Sequence, residues 1–232
     1  MREKGTVLYR AARAARTRQE ILGLAADLAS AEGLEGLTIG RLAAELRMSK
    51  TGIFAHFGSK EELQLATVNR AKEVFLEQVV KPALAEPPGV KRLQAMLTSW
   101  LEYVEHSVFR GGCFFAAASL EFDSRPGRVR DHVAALTKAW MDALRNEIAH
   151  AKAQKEIAPG TVPAQLAFEL HAYVQEANWA YKLYGDGSAF PRARRAITDR
   201  IRCASRSSKG REDSSRKEAN RERANVRQTE TP

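Results

Sequence analysis

Between Thr38 and Lys60 the chain reads TIGRLAAELRMSKTGIFAHFGSK, and its chemically capable side chains are hydrogen-bond donors and cations rather than nucleophiles. Thr38, Ser49 and Ser59 each stand just ahead of a stretch with helical spacing. A hydroxyl there accepts a hydrogen bond from a free N–H of the first turn. Lys50, Thr51 and Gly52 open one such stretch, Lys60 opens another, and Arg47 and His56 lie close by. Free N–H groups and the positive end of a helix dipole attract phosphate. The chemistry on offer is non-covalent capture of a polyanion. Thr38 and Lys60 either grip phosphate or serve as a plain cap and a solvated lysine. Thr51 could reach a base edge or a thymine methyl. Gly52 either lets neighbours approach that edge or packs against the adjoining helix.

Two short helices must carry these groups. Ile39, Leu42, Ala43 and Leu46 form one apolar face, and Ile53 and Phe57 bury the next helix. Arg47-Met48-Ser49 turns the chain between them, with Met48 plugging the angle. This is the build of a helix-turn-helix over 38–57, whose second helix enters a major groove.

Nearly every other segment also has helical period. Thr17-Arg18-Gln19-Glu20 reads as a capping box opening a helix that stops at Gly33, and Ser59 to Glu62 reads as another. The helix after Ser59 is predicted to stop before Pro82, and Glu86-Pro87-Pro88-Gly89 marks a turn. Helices are then predicted over 90–107, 113–122, 128–154, 163–184 and 191–202. The expected fold is all-α. A basic arm (1–16) precedes a three-helix DNA-binding domain (17–75). A helical effector and dimerisation domain (76–202) and a disordered basic tail (203–232) follow.

The formal net charge of +9 is concentrated at the two ends, leaving a mildly acidic body, which suits a polyanion contacted at the edges. No apolar run is long enough to span a bilayer. Cys113 and Cys203 are the only cysteines, which fits a reducing cytoplasm and argues against a disulfide framework. Cys113 follows two glycines and opens an apolar helix, so it reads either as a buried inert residue or as a thiol sensor activated by a helix N-terminus. No phosphate loop, nucleophile elbow, paired carboxylates or metal-ligand spacing is found, so no catalytic residue, metal or cofactor is expected.

Taken together, the helix over 17–33, Gly36-Leu37-Thr38, Leu42-Ala43, Ser49-Lys50-Thr51, Phe54-Ala55-His56-Phe57 and Ser59-Lys60-Glu61-Glu62-Leu63 resemble the tetracycline-repressor (TetR) family. The resemblance rests on motif from Thr17 to Phe75 and on architecture to Arg202. It implies a homodimer that binds operator DNA, paired through the last two helices and released by a small-molecule effector. An activator, or a DNA-binding protein without an effector, stays open. It also implies that Thr38, Arg47, Ser49, Lys50, Thr51, Gly52, Phe54, His56 and Lys60 face DNA. Two departures stand out: Arg47 replaces a usual turn glycine, and Phe54 replaces a usual tyrosine. Trp100, Tyr103, Phe114, Phe115, Phe122, Trp140, Tyr173 and Trp179 are the aromatic candidates for an effector pocket, with His132, His171 and Gln175 as polar ones. The effector itself is not legible.

Overall fold

The computed structural model describes residues 2–205, with side chains at Tyr9 and from residue 11 onward, and these residues form helices joined by short turns without a strand. The helices are α1 (Arg2–Glu32), α2 (Ile39–Leu46), α3 (Lys50–Phe57), α4 (Lys60–Phe75), α5 (Lys81–Ala83), α6 (Val90–Glu105), α7 (Phe114–Phe122), α8 (Arg128–Ala153), α9 (Pro163–Tyr184) and α10 (189–205).

The first helix departs from expectation. It begins at Arg2, so Thr17 lies in its middle and caps nothing. The residues AARAAR ahead of it are strong helix formers, and the Arg16–Glu20 ion pair, 3.1 Å, spans the position one turn apart. Propensity there overrides a local stop signal. At Ser59 the cap is half a box: its hydroxyl accepts from the Glu62 N–H, while the Glu62 carboxylate turns to Arg128 instead.

Proline 82 does not end the fourth helix. A π-helical turn, Leu76–Val80, follows Phe75, with the Lys81 N–H bonding back to the Leu76 carbonyl. The widened turn places Pro82 in the first turn of α5, where its missing N–H costs no helical bond. The last helix is longer than expected, running through 203–205. The rest of the tail predicted to be disordered lies outside the described residues.

One group of buried side chains holds the N-terminal head: Ile21, Ala25 and Leu28 of α1, Leu42 of α2, Ile53 and Phe57 of α3, and Leu63 of α4. A second group fills the helical body: Leu93, Leu97 and Val104 of α6, Phe114 of α7, Leu144 and Ile148 of α8, and Leu166 and Leu170 of α9. Helix α4 belongs to both, packing on α1 and on α8. It carries Lys60 at the head and Phe75 in the body, about 22 Å apart along the axis.

Candidate nucleic-acid interface and ligand cavity

The α2–α3 corner is built as the spacing requires. Arg47 sits at φ 52°, ψ 39°, the left-handed conformation that suits glycine. The Met48 N–H closes the corner on the Ala43 carbonyl at 3.0 Å. Thr38 accepts from the Arg41 N–H at 3.1 Å, and Ser49 accepts from the Gly52 N–H at 3.0 Å. Ile53 and Phe57 face inward. Thr38, Arg47, Ser49, Lys50, Thr51, Phe54 and Lys60 are exposed, and Gly52 and His56 are half-buried. The Lys50 stem folds back toward α2; a β-carbon on Gly40 would meet it at 3.5 Å. Every residue of the candidate DNA face is therefore at the surface, on α3, at its two flanking turns and, for Thr38, at the start of α2.

Lys60 differs from the free cation expected. Its ammonium pairs with Glu35 at 2.7 Å, and Gln64 donates to the same carboxylate at 3.0 Å. These bonds hold Glu35 below the usual carboxylate range. Any phosphate at Lys60 must share it with Glu35.

The head is fastened to the body by polar contacts that sequence reasoning missed. Glu121 of α7 accepts from the N–H groups of Leu34 (2.6 Å) and Glu35 (2.9 Å), capping the turn after α1. Arg128 at the start of α8 bridges Glu61 and Glu62 at the start of α4. Gly111 lies so close to α1 that a β-carbon would stand 1.9 Å from the Ser30 carbonyl oxygen, and its N–H bonds to the Ser30 hydroxyl. A carboxylate inside the otherwise apolar helix FFAAASLEF was the available signal for Glu121.

Inside the body, α4, the π-helical turn, α6, α7, α8 and α9 surround a cavity of about 220 Å³. Phe75, Trp100, Phe115 and Trp140 wall it, meeting edge to face with ring centroids 4.9–6.3 Å apart. Cys113, His171 and Gln175 form its polar floor, and Lys72, Leu76 and Ala139 its exposed margin.

Three of the eight aromatic candidates therefore line the cavity: Trp100, Phe115 and Trp140. The other five do not. Tyr103 and Phe114 are packed into the core, because their helix faces point away from the void. Phe122 borders a surface groove beside Arg125 and Arg128, and Tyr173 faces α10. Trp179 stands 45% exposed, stacked edge-on with Tyr184. Of the polar candidates, His171 and Gln175 reach the cavity, whereas His132 binds Asn69 at 2.8 Å outside it. Phe75 and Lys72 were missed because they occupy the far end of a helix read as part of the head.

Cys113 does not fit an activated thiol. It is 2% exposed, and burial raises its pKa despite nearby backbone N–H groups of Phe115 and Ala116. Desolvation outweighs the helix N-terminus here. Burial likewise lowers the His171 pKa, keeping the cavity floor uncharged at neutral pH. Among the described residues no cluster of His, Cys, Asp or Glu is arranged to hold a metal, and no helix is long and apolar enough to cross a membrane.

Comparison with known proteins decides the family. Residues 21–67 match the model of bacterial regulatory proteins, tetR family, and residues 89–197 match that of the tetracyclin repressor-like C-terminal domain. The chain belongs to the TetR family. A TetR transcriptional regulator from Chloroflexus aurantiacus J-10-FL superposes over 82% of this chain and 96% of its own, with a TM-score of 0.76 and 25% identity. AibR, solved in complex with isovaleryl coenzyme A and operator DNA, superposes over 78% of this chain and 95% of its own, with a TM-score of 0.63 and 27% identity. The curated HTH-type transcriptional regulator TcmR of Streptomyces glaucescens is 35% identical over 82 residues, a match spanning about a third of each protein. Both TetR family models fall on separate parts of this fold, the first on α1 to α4 and the second on α6 to α10.

Proposed function

We propose that this TetR-family chain is a ligand-responsive transcriptional repressor that binds palindromic operator DNA as a homodimer and lets go when a small molecule fills the α4–α9 cavity. The observation that carries the reading is the surface position of α3 with its donors, on a head joined by one helix to an internal cavity. Thr38, Arg47, Ser49, Lys50, Thr51, Gly52, Phe54, His56 and Lys60 form the DNA face. Backbone contacts would set the register, and Thr51 with its neighbours would read bases. AibR, solved in complex with isovaleryl coenzyme A and operator DNA, supports the reading that this fold can hold both a small molecule and an operator.

An exposed apolar surface supports the dimer. Phe168, Ala172, Gln175, Trp179 and Leu183 recur at three- and four-residue steps along α9, and Phe168 (64%), Trp179 and Leu183 (61%) are exposed, beside Leu120 of α7 at 72%. Such a stripe suits a second helix. The resemblance implies pairing through α10 as well. There Phe190, Ala193, Ile197 and Ile201 are buried within the chain, and Arg192, Arg195, Asp199 and Arg202 face outward. In a dimer α9 supplies the apolar centre and α10 a charged rim.

The mechanism is a population shift. A ligand pressing on Phe75, Leu76 and Val80 moves α4, which carries the head, and changes the separation of the two α3 helices. Equilibrium binding to a duplex from the promoter flanking the gene tests this. Affinity falls steeply as salt rises and exceeds that for a random duplex by orders of magnitude. Equal affinity for both duplexes at every salt concentration would refute it.

A further inference from the structure

The cavity walls say what kind of molecule can enter, and this step rests on the reading of the cavity as the effector site. Its body is lined by Phe75, Trp100, Phe115 and Trp140, a setting for flat apolar rings. The indole N–H groups of Trp100 and Trp140 are buried without a hydrogen-bond partner among the described residues; Trp100 has only the weakly accepting Cys113 sulfur nearby. Donor-only groups of this kind favour a ligand carrying acceptor oxygens.

Charge is arranged one-sidedly. Among the described residues no carboxylate lines the cavity, and Lys72 at its margin is the one charged side chain that does. The carboxylates next in sequence to cavity-lining residues are already paired: Glu73 with Arg70, Glu77 with Lys81, and Asp142 with Lys138 and Arg145. Lys72 has no ion-pair partner among the described residues. A ring cage can also hold a quaternary ammonium, but a cation here would meet Lys72 with no compensating carboxylate.

We infer that the cavity takes an aromatic acid, with an uncharged ring body among the four aromatic residues and its anionic group at the mouth beside Lys72.

The probes are 8-anilinonaphthalene-1-sulfonate and N-phenyl-1-naphthylamine, which share a ring system and differ by the sulfonate. Binding to the full chain is followed by probe fluorescence. Both should bind, the sulfonate three- to tenfold more tightly, and Lys72→Gln should erase that preference while leaving the neutral probe unchanged. Ala139→Trp at the exposed mouth and Ala143→Trp deeper in should each weaken both probes at least tenfold, separating the cavity from the exposed α9 face. Ala139 is exposed, so its variant keeps the test valid if the Ala143 variant fails to fold. Equal affinities that Lys72→Gln does not alter, probe binding untouched by Ala139→Trp, or displacement of the sulfonate by choline would each overturn the inference. DNA release is measured separately by anisotropy. A probe that occupies the cavity without releasing DNA counts against the switch and not against the ligand class.

Discussion

Arg47 holds a left-handed backbone that a β-carbon disfavours by about 1 kcal/mol. Replacing it with glycine should raise the melting temperature by about 2–4 °C, the shift expected for that energy in a chain of this size. The same change removes a cation from the proposed DNA face, so operator affinity should fall and its dependence on salt should lessen by about one phosphate contact. Calorimetry and DNA titration on one variant check both halves. His171 gives a second test. Burial holds its pKa below the ordinary value of about 6.5. As pH falls below that value, the unfolded chain takes up a proton that folded His171 refuses, so stability drops with acid and is unaffected above it. His132 acts in the same direction, lowered by partial burial and by Lys72. The ion-paired carboxylates Glu35 and Glu169 lose their contribution only at lower pH, below about 4.5. Between pH 7 and 5.5 the decline in melting temperature should therefore shrink in His171→Phe; an unchanged decline would place the proton uptake elsewhere.

Helices that meet a neighbour through one face were legible in the sequence, and contacts made by single atoms were not. Leu42, Ala43, Ile53 and Phe57 announce the α2–α3 pair because their spacing can bury only one way. The boundaries of α8 and α9 follow from Gly127 and from Pro163 in the first turn of α9. The start of α1 was misread because Thr17 carries a cap signature that the surrounding alanines and arginines outweigh. The passage of α4 through a π-helical turn into Pro82 was missed because proline ordinarily ends the helix ahead of it; its trace is the steady four-residue step of the buried Ala71, Phe75, Val79 and Ala83, wider than the roughly 3.6 of an α-helix. The cavity was half legible: aromatic side chains at helical spacing look alike in a core and on a void, so only the packing separates Phe115 from Phe114. Glu121 belongs to this scale, because it joins α7 to the turn after α1. Glu121→Ala leaves the Leu34 and Glu35 N–H groups without their acceptor and should cost about 1–3 kcal/mol. Hydrogen exchange at those two amides should rise well before exchange in α8 or α9. Uniform protection across the chain would show that the contact fastens nothing.

The molecule as a whole couples a cavity, a head and an exposed face through two helices. Helix α4 runs from the candidate DNA face to the cavity wall, and α9 carries His171 at the cavity floor and the exposed stripe on the adjoining side, with Gln175 shared between them. Gln175 and Cys113 border both the cavity and the groove beside that stripe. Ligand, partner subunit and DNA would thus act on adjoining surfaces of one body. Phe168→Glu puts a charge in the stripe without touching the cavity or α3. It should convert the dimer to a monomer in sedimentation equilibrium, with helix content retained and operator affinity lost. A dimer that survives the substitution would move the interface elsewhere. The basic ends would add charge that steers the chain to DNA without specifying sequence.

In the proposed dimer two copies of α3 read successive major grooves from opposite directions. In vitro selection from a random duplex library tests it directly and needs no knowledge of the regulated genes. The selected pool should be enriched in an inverted repeat whose half-sites lie about one helical turn, or a multiple of it, apart, and Thr51→Ala with Lys50→Ala should abolish that enrichment. Failure to enrich any sequence, or enrichment of a site without two-fold symmetry, would contradict it.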